Sequence, residues 1–181
     1  MLELIREGMG LEPGYFGEEL TGDQFLTINH YPRCPDPSLT LGVPKHADPN
    51  LITLLLQGII NGLQVFKDGQ WFGVEPLPHA FVVNIGHQLQ IISNGKLRSA
   101  EHRAVTNSRE DRTTIVTLIS PCQDTIIEPA NSIIDTDYVM QPERRARHFI
   151  TLSKETLVAD RLGIHSDWSM QKRMFIVGKI L

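Results

Sequence analysis

The chain has 181 residues, of which 41% are apolar and 21% charged, with a formal net charge of -4. A chain of this length is about the size of one domain and can bury roughly 70% of its unfolded surface. The apolar content excludes a disordered chain, and the mild acidity argues against a basic nucleic-acid footprint. The best apolar run, Leu51 to Leu56, broken only by Thr53, is strand length and far short of the ~18 residues of a membrane helix. The first residues lack the apolar stretch of a signal peptide. Two cysteines, Cys34 and Cys122, supply neither a disulfide framework nor a four-cysteine zinc site. The expectation is a cytoplasmic protein without nucleic-acid or membrane partners.

In chain order, Met1 to Met9 spaces Leu2, Leu4, Ile5 and Met9 as an amphipathic helix closed by Gly10. A second short helix is expected from Tyr15 to Leu20. From Phe25 onward the pattern changes to short β-rich runs separated by Gly, Pro, Asn and Asp. These are Phe25–Tyr31, Leu51–Gln57, Leu63–Lys67, Gln70–Glu75, Phe81–Ile85, Leu89–Ser93, Ser99–Thr106, Thr113–Ser120 and Thr125–Glu128. Regularly spaced short strands predict a sandwich or barrel. Asp68-Gly69 and Asn94-Gly95 both read as type I′ hairpin turns. The proline-rich segment from Pro32 to Ser38 reads as a loop. Beyond Ala130 the alternation decays. Glu143 to His148 is a basic cluster that can open a helix, Thr156 to Leu162 is helix-compatible, and Met174 to Leu181 is apolar and β-prone.

Three small patterns carry chemistry. His46 and Asp48 are two apart, so in an extended segment they point to one face. His102 lies in the strand-like run Ser99–Thr106. Two imidazoles and one carboxylate on one side of a metal leave positions open, which is the facial arrangement of non-haem Fe(II) oxygenases. The other reading is a loop pair plus a hydrogen-bonded core histidine. Arg112 and Thr114 share a strand face, and an arginine fork beside a hydroxyl suits a carboxylate ligand. Its alternative is a salt bridge to Glu110 or Asp111. Asn29 and Tyr31 share a face of the first strand, as ligand contacts or as plain packing.

The run from Asn29 to Pro37, the run from Leu41 to Gln57, and Gly62-Leu-Gln-Val, Trp71, Phe81-Val-Val-Asn-Ile-Gly, Ile92-Ser-Asn-Gly, Glu101-His-Arg-Ala-Val-Thr-Asn and Arg112-Thr-Thr114 together resemble the plant 2-oxoglutarate and Fe(II)-dependent dioxygenases. The resemblance covers about residues 10 to 130. It implies a mainly β fold, a double-stranded β-helix or jelly roll, with an N-terminal helix and an irregular or helical C-terminal tail. It implies Fe(II) on His46, Asp48 and His102, and 2-oxoglutarate held through Arg112, Thr114, Tyr31 and Asn29, with ascorbate as a reductant. Thr114 stands where the family has serine. His30, in place of the family's middle aromatic, is expected to face away from the site. The implied reaction is hydroxylation or other oxidation of a small specialised metabolite with molecular oxygen, releasing succinate and CO2.

The expected organisation is an N-terminal helical remnant at 1–22, a jelly-roll dioxygenase domain at 23–130 and an atypical tail at 131–181. Relative to the family pattern, the long N-terminal helical region and the aromatic C-terminal helix are missing, which predicts an outer sheet face short of cover. A truncated non-catalytic remnant or binding module is the alternative from another class. Nothing supports a hydrolase, since neither Gly-x-Ser-x-Gly nor His-Glu-x-x-His occurs.

Overall fold

The computed structural model describes residues 1–134 and 139–140, and the backbone of 143–144 and 173–177. Helix α1 (Leu2–Gly8) and a single turn α2 (Glu18–Thr21) precede the strands β1 (Asp23–Tyr31), β2 (Leu41–His46), β3 (Ile52–Leu56), β4 (Leu63–Lys67), β5 (Gln70–Gly73) and β6 (Ala80–Ile85). Helix α3 (His87–Ile92) follows, then β7 (His102–Val105), β8 (Arg112–Ser120), β9 (Ile126–Ile127), β10 (Glu143–Arg144) and β11 (Arg173–Val177). One sheet has the order β1-β8-β3-β6-β11 and a second has β2-β7-β4-β5. Consecutive strands β1 and β2, β2 and β3, and β7 and β8 fall in opposite sheets, so the chain repeatedly crosses between them. That is the winding of a jelly roll, and it meets the expected fold class.

Side-chain parity explains where the core sits. On β3, Ile52 and Leu54 face outward into a cluster with Ile5 of α1, Leu89, Ile91 and Ile92 of α3, and Ile127. Leu55 faces the other way, packing inside the roll with Leu63, Val82 and Val116. A central strand covered on both faces reads as a nearly continuous apolar run rather than an alternation, which is why Thr53 is the one polar residue from Leu51 to Leu56. Leu51 and Ile52 have no exposed surface, and each such side chain contributes about 1.5–3 kcal/mol on burial. The helices at 2–8 and 87–92 therefore supply much of the cover for the larger sheet.

Several expectations are corrected. Leu89–Ser93 is helix α3, not a strand. Asn94 and Gly95, at φ 49° and 80°, close that helix instead of turning a hairpin. The Gly95 amide bonds back to the Gln90 carbonyl at 2.9 Å. A short run of Leu, Ile and Gln fits either periodicity. Here Gly86 as N-cap and a left-handed exit select the helix. The helix expected at Tyr15–Leu20 is the turn at Glu18–Thr21. Asp68-Gly69 does form the expected tight turn, with both residues at positive φ between the paired Lys67 and Gln70. Glu143–Arg144 has strand backbone paired with β9 rather than opening a helix. Residues 173–177 lie parallel to β6 at the edge of the larger sheet, giving the apolar terminus a place. The helix considered at 156–162 falls outside the described residues. No helix among the described residues is long and apolar enough to cross a membrane.

Candidate active site

The two sheets enclose a cavity of about 480 Å³ whose lining includes Asn29, Tyr31, His46, Asp48, His102, Arg112 and Thr114. All seven sequence-predicted residues thus face one space. Its volume is in the usual range for a small-molecule site.

His46 and His102 come from the smaller sheet, where they are register partners across β2 and β7. Asp48 follows β2 on the connection to β3, and two neighbours hold its backbone. The His87 amide donates to the Asp48 carbonyl at 2.7 Å, and Ser99 Oγ does so at 3.4 Å. Just beyond, buried Asn50 ties the connection down by donating to the Ile52 carbonyl at 2.7 Å and the Ile119 carbonyl at 3.3 Å. Asp48 Oδ1 lies 3.5 Å from His46 Nε2 and 3.6 Å from His102 Nε2. One potential ligand atom from each residue falls within 4.8 Å of the others.

The outer nitrogens decide the tautomers. His46 Nδ1 is 2.8 Å from the Pro44 carbonyl and His102 Nδ1 is 3.1 Å from the Ala100 carbonyl. A carbonyl can only accept, so each Nδ1 carries the proton and each neutral ring turns its Nε2 lone pair inward. Protonated at Nε2 as well, His46 would donate to Asp48, which raises its pKa, and burial lowers that of His102. Burial by itself would raise the Asp48 carboxyl. Donation from a protonated His46, the charge of a protonated His102 and the hydroxyl of Thr53 outweigh it and keep the group below its usual value. A buried carboxylate between two inward-facing imidazole nitrogens is a donor set suited to a divalent iron. The residues present therefore fit such an ion.

The larger sheet supplies the opposite wall. Asn29 pairs in register with Thr114, and Tyr31 with Arg112, across β1 and β8. Arg112 is buried, its Nε donates to the Ile60 carbonyl at 3.1 Å, and its Cζ is 5.3 Å from the centroid of the Tyr31 ring. Burial draws its pKa downward, yet a guanidinium remains a cation at any physiological pH. Among the described residues no carboxylate pairs with it. Asp111 is instead 3.7 Å from Arg33 Nε, and Glu110 is exposed in the preceding turn. Thr114 is buried and its Oγ1 has no hydrogen-bond partner. An unneutralised buried cation beside an unsatisfied buried hydroxyl is costly unless an anion completes it. His30 points away, meeting Thr113 Oγ1 at 2.9 Å on the exposed side.

Sequence reading passed over Asn84. It lines the cavity and its Nδ2 donates to Asp48 Oδ2 at 3.4 Å, while its Oδ1 is unpartnered. Its signal was present: it is the one amide in the apolar strand Ala80–Ile85.

Residues 22–121 match the model of the 2OG-Fe(II) oxygenase superfamily. The chain belongs to that superfamily. It is 50% identical over 138 residues to the 2'-deoxymugineic-acid 2'-dioxygenase of Hordeum vulgare, covering 76% of this chain and 41% of that protein. It is 49% identical over 139 residues to the hyoscyamine 6-dioxygenase of Hyoscyamus niger, covering 76% and 40%. Among solved structures it is similar to JOX2 in complex with 2OG, Fe and JA, at a TM-score of 0.72 and 38% identity, over 78% of this chain and 44% of that one. The chain spans about two fifths of the length of the curated relatives it matches. The family's cofactor and cosubstrate are Fe(II) and 2-oxoglutarate.

Proposed function

We propose that this chain carries the catalytic core of a Fe(II)- and 2-oxoglutarate-dependent dioxygenase that oxidises a small specialised metabolite with molecular oxygen. His46, Asp48 and His102 would hold the iron. Arg112 and Thr114 would bind the distal carboxylate of 2-oxoglutarate, with Tyr31 and Asn29 beside them. The observation that carries this reading is the pairing of two incomplete groups across one cavity. A three-donor cluster lies on one wall, and a buried guanidinium and hydroxyl without an anion lie on the other.

When bound, the iron supplies oxygen activation and the oxidative decarboxylation of 2-oxoglutarate to succinate and CO2, chemistry no side chain provides. The chain's own work is binding, orientation and exclusion of water. Nδ1–H bonds to Pro44 and Ala100 fix both imidazole rings before the metal arrives. The Ile60 carbonyl holds the Arg112 fork before the cosubstrate does. The apolar lining from Val43, Leu55, Leu63, Val116 and Leu118 keeps the space between them dry, which strengthens each charged contact. Relatives named for deoxymugineic acid, hyoscyamine and, in the flavanone 3-dioxygenase 2 of Oryza sativa subsp. japonica, a flavanone support a small plant metabolite as the substrate class.

The test is incubation of the purified chain with Fe(II), ascorbate, 2-oxoglutarate and a panel of phenolic, flavonoid, alkaloid and amino-acid-derived acceptors under air. Succinate should form in step with an oxidised acceptor. Cosubstrate binding with no succinate from any acceptor would favour a binding module over an enzyme.

A further inference from the structure

Two glycines outside the triad and the anion-binding pair touch the side chains that form the second wall. Gly62 lies just before β4, and a Cβ there would fall 2.9 Å from Cδ and 3.0 Å from Nε of Arg112, and 3.0 Å from the Val105 carbonyl oxygen. Gly42 lies in β2, and a Cβ there would fall 2.5 Å and 2.7 Å from Cδ1 and Cε1 of the Tyr31 ring. Carbon atoms in van der Waals contact sit ~3.5–4.0 Å apart, so neither position has room for a methyl group. Gly62 has no unusual backbone dihedral. Its lack of a side chain is about space alone.

Neither side of the Gly62 contact can recede freely. The Gly62 carbonyl accepts from the Val105 amide at 2.8 Å, locking it to β7. Opposite it, Arg112 is 3% exposed and its Nε is bonded to the Ile60 carbonyl. A methyl at 62 must therefore push on the guanidinium stem, the atoms that set where the fork points. On the other side, Tyr31 stands opposite Arg112 in register with the guanidinium over its ring. The contacts run in series, Gly42 to Tyr31 to Arg112 to Gly62.

We propose that Gly42 and Gly62 are positioning residues for the cosubstrate, two side-chain-free slots that hold the Tyr31 ring and the Arg112 guanidinium at the place where the distal carboxylate of a 2-oxo diacid docks. The inference rests on Arg112 being the cosubstrate anchor. It goes further by assigning the anchor's aim to positions that never touch the ligand. Bidentate recognition depends on fork orientation, so a small displacement of the stem costs affinity while leaving the charge in the cavity.

A double-mutant cycle on the full chain tests this, with Mn(II) as a redox-silent metal probe and calorimetric titration of 2-oxoglutarate into the Mn(II)-loaded protein. Gly62→Ala should weaken 2-oxoglutarate binding by about tenfold or more while Mn(II) affinity stays at the wild-type value. In the Arg112→Ala background, Gly62→Ala should cause no further loss, because the side chain it displaces is gone. Wild-type 2-oxoglutarate affinity in Gly62→Ala, or an equal loss with and without Arg112, would overturn the proposal. Arg112→Ala binding 2-oxoglutarate like the wild type would instead overturn the anchor role itself. Gly42→Ala paired with Tyr31→Ala runs the same cycle from the other side, and it decides the question should Gly62→Ala fail to retain Mn(II).

Discussion

His46 and His102 stand directly opposite each other across β2 and β7, with ring centroids 4.3 Å apart. Two residues far apart in sequence thus become one cross-strand pair, and the short step from His46 to Asp48 brings the carboxylate to both. The smaller sheet therefore builds the donor cluster from one register match and one connection. The larger sheet builds the opposite wall the same way, from the Asn29–Thr114 and Tyr31–Arg112 pairs.

Replacing any one of His46, Asp48 or His102 by Ala should abolish iron-dependent turnover and sharply weaken metal binding. Two donors remain in each case, too few for a stable site at a protein-limited position. Metal titration followed by succinate assay checks this. Full metal affinity in His102→Ala would exclude that residue as a ligand.

Arg112→Ala should lower 2-oxoglutarate affinity by about one to two decades, since a charge-assisted hydrogen bond contributes roughly 1.5–3 kcal/mol. Metal affinity should not change, because Arg112 makes no contact with the donor cluster. Calorimetric titrations of metal and cosubstrate separate the two effects.

Thr114 allows a prediction of opposite signs. Its buried Oγ1 has no partner, and an unsatisfied buried hydroxyl costs about 1–3 kcal/mol. Thr114→Val, nearly equal in shape, should leave the ligand-free protein as stable or more stable in a thermal melt. The same change should weaken 2-oxoglutarate binding. Thr114→Ser keeps the hydroxyl, and its cosubstrate affinity should equal or slightly exceed that of the wild type.

Asn84→Leu should lower metal affinity by about tenfold, the lower end of what outer partners of metal ligands contribute. It removes the side-chain amide that, among the described residues, donates to Asp48, and the strand it sits in is otherwise apolar. Unfolding midpoints should not fall, so a loss of both stability and metal would assign Asn84 to packing.

The chemistry-bearing pairs were legible because strand parity is rigid. Residues two apart on an extended segment must share a face, and that alone grouped His46 with Asp48, Arg112 with Thr114 and Asn29 with Tyr31. The cross-strand matches were not legible, because register depends on which strands become neighbours. Strand β2 escaped notice because it is an edge strand, half exposed, with Pro44 inside it and two irregularities in its pairing. Edge positions tolerate proline and give little hydrophobic signal. Helix α3 was misread because four of its six residues, Gln88, Leu89, Ile91 and Ile92, are buried, and so short a run shows no clear helical stripe. Asn84 needed the fold, since only the β3–β6 pairing brings it beside the connection that carries Asp48.

If the donor cluster and the Arg112 wall form one composite site, anaerobic titration of the full chain with Fe(II) and 2-oxoglutarate shows it most directly. One Fe(II) should bind per chain, and 2-oxoglutarate should bind at least about tenfold tighter to the iron-loaded protein than to the iron-free one, with that gain lost in His102→Ala. Binding of 2-oxoglutarate with the same affinity in the presence and absence of iron would contradict it.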